Sequence, residues 1–224
     1  MTLEPFIGRS IPAFDFARAA FEVADSLTAD QVHLRKERVV KRFLEEILPI
    51  ATFAKAWEKP ERHLTVEYFG GNHPYDATVS LHGAAIAAGF FEPLYYIEVT
   101  SAVFENEHLE REALARYGSV FGDPNIHRVG SKRRGDDRIV SQATAQDGDA
   151  PVATLTDWVI RAITEKADHT YPDPSLLLVR AEPSRPLALS EWCSVVASCH
   201  QAARASQFKS VVLVDWFNAA VHTL

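Results

Sequence analysis

Residues 74 to 102 of this chain read PYDATVSLHGAAIAAGFFEPLYYIEVTSA. Residues 75 to 81 alternate apolar and polar side chains, and residues 94 to 100 are rich in β-branched and aromatic side chains. Both patterns predict β-strands. The connection between them is short, so we expect the two strands to lie side by side. This pair of strands is the centre from which the rest of the fold is predicted.

Each of the two strands carries one carboxylate, Asp76 on the first and Glu98 on the second. A charged carboxylate in an apolar strand costs several kcal/mol unless it is paired or coordinated. Two carboxylates on neighbouring strands also repel each other unless a cation lies between them. The pair therefore indicates a divalent metal site. Because side chains alternate between the faces of a strand, either acid alone could instead point to solvent, and the sequence leaves that alternative open.

Composition limits the possible classes of protein. The 224 residues are 47% hydrophobic, which is enough for one sizeable core. No apolar stretch approaches the roughly 20 residues that a membrane span needs, and the first residues lack the pattern of a secretory signal. We therefore expect a cytoplasmic protein with no membrane partner. The net charge of −7 argues against non-specific coating by nucleic acid, but it permits a local basic patch.

Cys193 and Cys199 lie six positions apart in a predicted helix. At that spacing they project from different sides of the helix, and no His or Cys spacing is typical of a zinc site. We expect both to be thiols of the core.

The sequence predicts three regions along the chain. Residues 1 to 27 are expected to form an N-terminal appendage that packs on the core. Residues 28 to 224 are expected to form a single domain, with a flap inserted at about 104 to 150. Helices are predicted at 28 to 57, with a kink at Pro49, at 151 to 169 and at 187 to 204. Strands are predicted at 63 to 69, 75 to 82, 94 to 101, 175 to 180 and 210 to 217.

The predicted flap contains a charged helical piece and then a stretch rich in Gly, Asp and Arg. A long polar loop inside a compact domain is more often functional or disordered than a neutral connector. The basic run Lys132, Arg133 and Arg134 is a candidate for contact with a phosphate backbone.

Lys166 departs from the pattern of its own helix. At 100° per residue it falls near the middle of the apolar face that includes Leu155, Val159 and Ile163. One interpretation is that its stem runs past Tyr171 and its charge interacts with the helix C-terminus. The other is that its ammonium reaches the carboxylate pair.

The predicted order of helix, three strands, helix and strand resembles the core of the PD-(D/E)XK nuclease superfamily, which has the restriction-endonuclease-like fold. Pro74-Tyr75-Asp76 stands at the place of that family's PD, with Tyr75 intervening, and Glu98-Val99-Thr100 stands at the place of its (D/E)XK. The resemblance covers roughly residues 28 to 180. It implies an α/β fold with an αβββαβ core, in which helices flank a central mixed sheet.

The resemblance also implies a Mg²⁺ or Mn²⁺ site formed by Asp76, Glu98 and the backbone carbonyl of Val99, joined in some members by a glutamate from the first helix. Glu46 is the better candidate for that glutamate. The chain departs from the family at Thr100, which stands where the family has lysine and would be left only to contact substrate. A threonine hydroxyl lacks the charge that orients and activates a water molecule beside a phosphate. We expect Lys166 to replace that lysine, with Gln142 and the basic run as weaker candidates.

Two functions follow from this resemblance. The first is a metal-dependent nuclease, acting as a homodimer so that two sites address two strands. The second is a catalytically degenerate domain that keeps the fold and serves as a nucleic-acid or protein interaction module. His73, just before Asp76, could touch substrate or could simply be exposed.

Overall fold

The computed structural model describes residues 1–71, 73–104, 106–119, 126–131, 133–141, 150–183, 185–215 and 218–224. The strands in these residues are β1 (Ser10–Pro12), β2 (His63–Tyr68), β3 (Ala77–His82), β4 (Leu94–Ala102), β5 (His127–Val129), β6 (Arg138–Val140), β7 (Ser175–Ala181), β8 (Ser210–Asp215) and β9 (Ala220–Thr223). The α-helices are α1 (Ala13–Ser26), α2 (Ala29–Leu34), α3 (Arg38–Arg42), α4 (Leu48–Trp57), α5 (Ala84–Ala87), α6 (Glu107–Tyr117), α7 (Ala150–Ala167) and α8 (Leu189–Ala205).

Seven strands form one mixed sheet in the order β1-β2-β3-β4-β7-β8-β9, and β5 and β6 form a separate hairpin. The strands from β1 to β4 pair antiparallel, β4, β7 and β8 run parallel, and β9 is antiparallel to β8. The prediction that the strands near 63–69, 75–82, 94–101 and 175–180 share one mixed sheet is confirmed.

The two faces of the sheet are covered by different helices. On β7, Leu176 and Leu178 pack in the cluster that includes residues of α1 and α4, whereas Leu177 and Val179 pack in the cluster with α7 and α8. Successive side chains of a strand point to opposite faces, so α4 and α7 lie on opposite sides of the sheet. The predicted flanking of the sheet by these two helical regions is confirmed.

The first long helix differs from its prediction. It is interrupted after α2, where Arg35 takes a left-handed conformation with φ 45°. From Arg38 to Trp57 the helix is continuous, but its turn Phe43–Ile47, between α3 and α4, is π-helical. The N–H of Leu48 donates to the carbonyl of Phe43, five residues back. The π-helical turn ends two residues before Pro49, which has no N–H to continue the regular ladder.

The N-terminal segment and the flap region both attach to the main domain. β1 extends the sheet beside β2, and Phe6 and Phe16 are buried in the same cluster as α4, so residues 1 to 27 contribute to the core on which they pack. In the flap region, α6 and the β5–β6 hairpin share a small cluster around Leu109 and Ile126.

Two further expectations concern the cysteines and the membrane. Cys199 is buried as expected, but Cys193 is exposed, because it lies on the outer side of α8; the prediction of a core thiol at Cys193 is wrong. In the part of the chain that the structure describes, none of the helices combines the length and the apolar character that a membrane crossing requires.

Candidate functional site

Asp76 lies one residue before β3, at the point where β4 begins to extend past it. The last pair of the β3–β4 ladder is Ala77 with Ile97, and β4 continues to Ala102. The side chain of Asp76 occupies the gap beside this extension, where its Oδ2 accepts a hydrogen bond of 2.8 Å from the N–H of Val99. Asp76 therefore caps the exposed edge of β4 at the position where Glu98 and Val99 follow each other.

The backbone of Val99 has its polar groups on this same edge. A residue in a β-strand directs its N–H and its C=O to the same side. Since the N–H of Val99 meets Asp76, the carbonyl of Val99 is directed toward the Asp76 side of β4 as well. The carboxylate and the carbonyl that the family resemblance implies as ligands are thus brought to one edge.

Glu98 is only 8% exposed and lies on the face of the sheet that α7 covers. Lys166, in the last turn of α7, donates a hydrogen bond to Oε1 of Glu98. This confirms the predicted proximity of Lys166 to the carboxylates. The catalytic role of Lys166 stays a prediction.

Tyr171 is a second partner of Glu98. Burial raises the pKa of the Tyr171 hydroxyl, and the charge of Glu98 and a hydrogen bond to Glu98 raise it further. The hydroxyl therefore remains a donor at all ordinary pH values. In the sequence Tyr171 was only a neighbour of Lys166, since its position after the helix gives no signal of a contact with β4.

Asp76 is a buried acid with further negative charge nearby, and both conditions disfavour its charged form. Its pKa is raised to about 7, first by burial and then by the charges of Glu98 and Glu46. The hydrogen bond from Val99 and the charge of Lys166 oppose this rise but do not cancel it. A cation near Asp76 would reverse the imbalance and hold the carboxyl in its charged form.

Glu46 lies in the π-helical turn, on the other side of the sheet from Lys166. It accepts a hydrogen bond from the hydroxyl of Tyr68, and both of its oxygens lie 3.4 Å from Nε of Arg42. Burial alone would lower the pKa of Arg42, but the nearby Tyr68, Glu46 and Asp76 raise it. Glu46 is thus near enough to Asp76 to raise the pKa of Asp76. Tyr68 and Arg42 donate to the Glu46 carboxylate and hold it in place.

Tyr68 is a partner that the sequence did not reveal. It is fully buried at the end of β2, where the alternating pattern marks it as an ordinary core residue. Only the packing of the π-helical turn against β2 gives its hydroxyl a carboxylate to bind.

Among the other candidates that the structure describes, none makes a hydrogen bond or ion pair with Asp76 or Glu98. Thr100 is half-buried on β4, on the same face as Glu98. Arg133 and Arg134 are exposed, and Arg134 pairs with Asp136 at 3.4 Å inside the loop of the β5–β6 hairpin. Lys132 and Gln142 lie outside the described residues. His73 is exposed, with its ring 4.6 Å from that of Phe69.

The donor set fits a small, hard cation with few protein ligands. Across the described ranges, no group of three or more His, Cys, Asp or Glu side chains that could hold a metal ion is found. Two carboxylates and a carbonyl are nevertheless the oxygen donors that Mg²⁺ uses, since it keeps several water molecules and takes only one or two carboxylates from the protein. Burial and the charges of Glu98 and Glu46 disfavour the charged form of Asp76, and a bound cation would favour it.

Comparison of the chain with protein-family models, with curated proteins and with solved structures finds no match.

Proposed function

We propose that this protein is a Mg²⁺- or Mn²⁺-dependent phosphodiester hydrolase that acts on nucleic acid. The observation that carries the proposal is the hydrogen bond from Lys166 to Glu98, beside Asp76. The ammonium contacts Glu98 and its charge also acts on Asp76. A fixed cation beside the reacting phosphate would stabilise the charge that develops there, in addition to what a metal ion supplies. Without a lysine near the carboxylates, Thr100 alone would offer no cation to a substrate.

A restriction-endonuclease-like core is part of the proposal. It is supported by the order of elements around the site, in which α4 is followed by the antiparallel strands β2, β3 and β4, by α7, and by β7 parallel to β4. The acids also lie at corresponding places, one at the start of the second of these strands and one in the third. The relation to the PD-(D/E)XK nucleases is inferred from this arrangement together with the motif residues.

In this proposal each residue has a distinct role. Asp76, Glu98 and the carbonyl of Val99 would hold the cation. A bound divalent ion supplies polarisation of the phosphoryl group, a lowered pKa for a bound water molecule and charge to offset the leaving oxygen. Lys166 would orient the attacking water and stabilise the negative charge that develops on the phosphate. Glu46, held by Tyr68 and Arg42, would accept a hydrogen bond from a water molecule of the site.

A second candidate is the catalytically degenerate domain. The contacts of Glu98 favour it, since Lys166 and Tyr171 together already satisfy this carboxylate from within the protein. In such a domain the ion pair would be a structural feature and no cation would enter. The two candidates therefore differ in whether the site binds metal.

The test combines cleavage with metal binding. The full chain is incubated with single-stranded and duplex DNA and RNA in Mg²⁺, in Mn²⁺ or in a chelator, beside Asp76→Asn. The proposal expects cleavage that needs the ion and is lost in Asp76→Asn. Crystals soaked in Mn²⁺ should show the ion between Asp76, Glu98 and the Val99 carbonyl. Absence of both cleavage and bound ion would establish the degenerate domain instead.

A further inference from the structure

Four aromatic rings form a continuous strip beside the carboxylates. The strip consists of Phe69, His73, Tyr75 and Tyr96. Ring centroids are 4.6 Å apart for Phe69 and His73, 5.5 Å for Phe69 and Tyr75, and 4.9 Å for Tyr75 and Tyr96. His73 is exposed and the other three are half-buried, so each ring is at least partly accessible to solvent.

The strip is attached to the two acids through the backbone. Tyr75 directly precedes Asp76, and consecutive Cα atoms lie about 3.8 Å apart. Tyr96 lies two residues before Glu98 on β4, and residues two apart on a strand share a face. The rings therefore continue from the carboxylate pair along the end of the β3–β4 hairpin that carries the candidate site.

From this placement we infer that the aromatic strip binds the unstacked bases of a single-stranded nucleic acid whose phosphate lies at Asp76 and Glu98. This inference rests on the proposed function and names its substrate class. Aromatic side chains bind single strands because every base offers a π-face, whatever its sequence. In a duplex the same faces are covered by neighbouring base pairs, so the strip has nothing to stack on.

The charges around the site point to the same class of substrate. Proteins that hold a duplex mainly through its phosphates use many unpaired Lys and Arg side chains. Among the described residues, two cations whose charges act on Asp76 are already engaged, Arg42 with Glu46 and Lys166 with Glu98, and the whole chain carries a net charge of −7. Affinity for nucleic acid must then come largely from stacking, which requires a single strand.

The test measures binding apart from catalysis. A fluorescein-labelled single-stranded DNA of mixed sequence, the corresponding RNA and the corresponding DNA duplex are titrated with the full chain in a chelator, and anisotropy is recorded. The variants are Tyr75→Leu, Tyr75→Phe and His73→Ala. Phe90→Leu is the matched control, since Phe90 is a 77% exposed ring in the 83–93 connection at the opposite end of the hairpin.

We expect the parent to bind single strands more tightly than the duplex. Tyr75→Leu should weaken single-strand binding about tenfold, because one stacked base is lost. Tyr75→Phe keeps the ring and should restore binding, His73→Ala should weaken it less than Tyr75→Leu, and Phe90→Leu should match the parent. The two single-stranded probes show whether DNA or RNA is preferred. Melting temperatures of all variants identify any that fail to fold. If Tyr75→Leu fails to fold, His73→Ala, at an exposed loop position, still tests the inference.

Two results of the binding titrations would overturn the inference: duplex binding as tight as single-strand binding, or single-strand binding that is unchanged in both Tyr75→Leu and His73→Ala. The proposed hydrolase is judged separately, by adding Mg²⁺ to the same probes. Binding of single strands through Tyr75 without cleavage would support the aromatic strip and contradict the hydrolase. Cleavage of duplex that is insensitive to Tyr75→Leu would support the hydrolase and overturn the strip.

Discussion

The ammonium of Lys166 donates a hydrogen bond to Glu98, although 68 positions of the chain separate the two residues. The contact follows from the path of the chain. Helix α7 lies in the connection from β4 to β7, which run parallel, and such a connection packs back onto the strands that it joins. Lys166 is on the inward side of this helix and therefore meets the residue of β4 that faces it.

Replacing Lys166 with Met tests its role directly. We expect Lys166→Met to abolish cleavage of a phosphodiester substrate, because within the described residues Lys166 is the lysine that contacts Glu98 and could orient the attacking water. Stabilisation of the fold by Mg²⁺ should persist, since the ligands remain. Arg161→Met, which removes the other positive charge of α7 at a 43% exposed side chain, is the control and should cleave like the parent. Loss of both cleavage and metal stabilisation in Lys166→Met would identify Lys166 as a structural counter-ion.

A second experiment moves the lysine from position 166 to position 100. Thr100 lies two residues after Glu98 on the same face of β4, where the PD-(D/E)XK motif has its lysine. We expect the double variant Thr100→Lys with Lys166→Met to recover a measurable part of the cleavage that Lys166→Met loses. Initial rates on one labelled oligonucleotide compare the three proteins. A double variant as inactive as Lys166→Met would show that a cation on β4 is not equivalent to one on α7.

Binding of a divalent ion should stabilise the native state. An ion at about ten times its Kd adds about 1.4 kcal/mol, and for a chain of this length that corresponds to a rise in Tm of about 3 to 6 °C. Differential scanning fluorimetry with millimolar Mg²⁺ or Mn²⁺ measures the rise. Asp76→Ala should remove it, whereas Asp25→Ala, at an exposed carboxylate of α1, should keep it. A parent Tm that neither ion changes would contradict the metal site.

The raised pKa of Asp76 should make the free energy of unfolding depend on pH. Its folded pKa is raised to about 7, above the unfolded value of about 4. Between these two values the folded state holds a proton on Asp76 that the unfolded state releases. The stability that this proton contributes is lost as the pH rises from about 4 through about 7.

Urea denaturation of the parent and of Asp76→Asn, without metal, measures this contribution. The difference between the two should change by up to about 1.4 kcal/mol per pH unit within that interval, with the parent becoming relatively less stable at higher pH. Metal should also raise Tm more at pH 8 than at pH 5, because the ion competes with the proton. Parallel stability curves for the two proteins would show that Asp76 titrates normally.

Arg35 connects the candidate site to the flap region. Its guanidinium, 4% exposed, lies 3.3 Å from Glu45, 3.6 Å from Glu107 and 3.0 Å from Glu182. These acids belong to the π-helical turn, to α6 and to the chain after β7. Arg35→Ala should lower the free energy of unfolding by about 1 to 3 kcal/mol, because three half-buried carboxylates lose their shared buried cation, although Lys41, Arg111 and Arg180 still pair with them.

The control for Arg35 is a cation that shares one of the same acids. Lys41 lies 3.8 Å from Glu45, but its side chain is 51% exposed. Lys41→Ala should cost less than about 1 kcal/mol, as for other surface ion pairs. Equal losses for the two variants in urea denaturation would contradict a buried role for Arg35.

The local elements were accessible from the sequence because each depends on neighbours along the chain. Alternation predicted β3, β-branched and aromatic content predicted β4, and helical periodicity predicted α7 and the position of Lys166 on its inward face. The same local reasoning did not predict the break at Arg35 or the π-helical turn before Pro49. There the backbone follows packing and ion pairs with distant residues, which override helix propensity.

The partners within the candidate site were decided by tertiary structure. Nothing in the order of residues says that the hydroxyl of Tyr68 meets Glu46, that Tyr171 meets Glu98, or that Asp76 caps the N–H of Val99. Each contact depends on strand register or on the angle at which a helix crosses the sheet, and both are set by the packing of the whole core. A carboxylate in a strand can be recognised from sequence, but its pKa depends on burial and on charges that only the folded chain assembles.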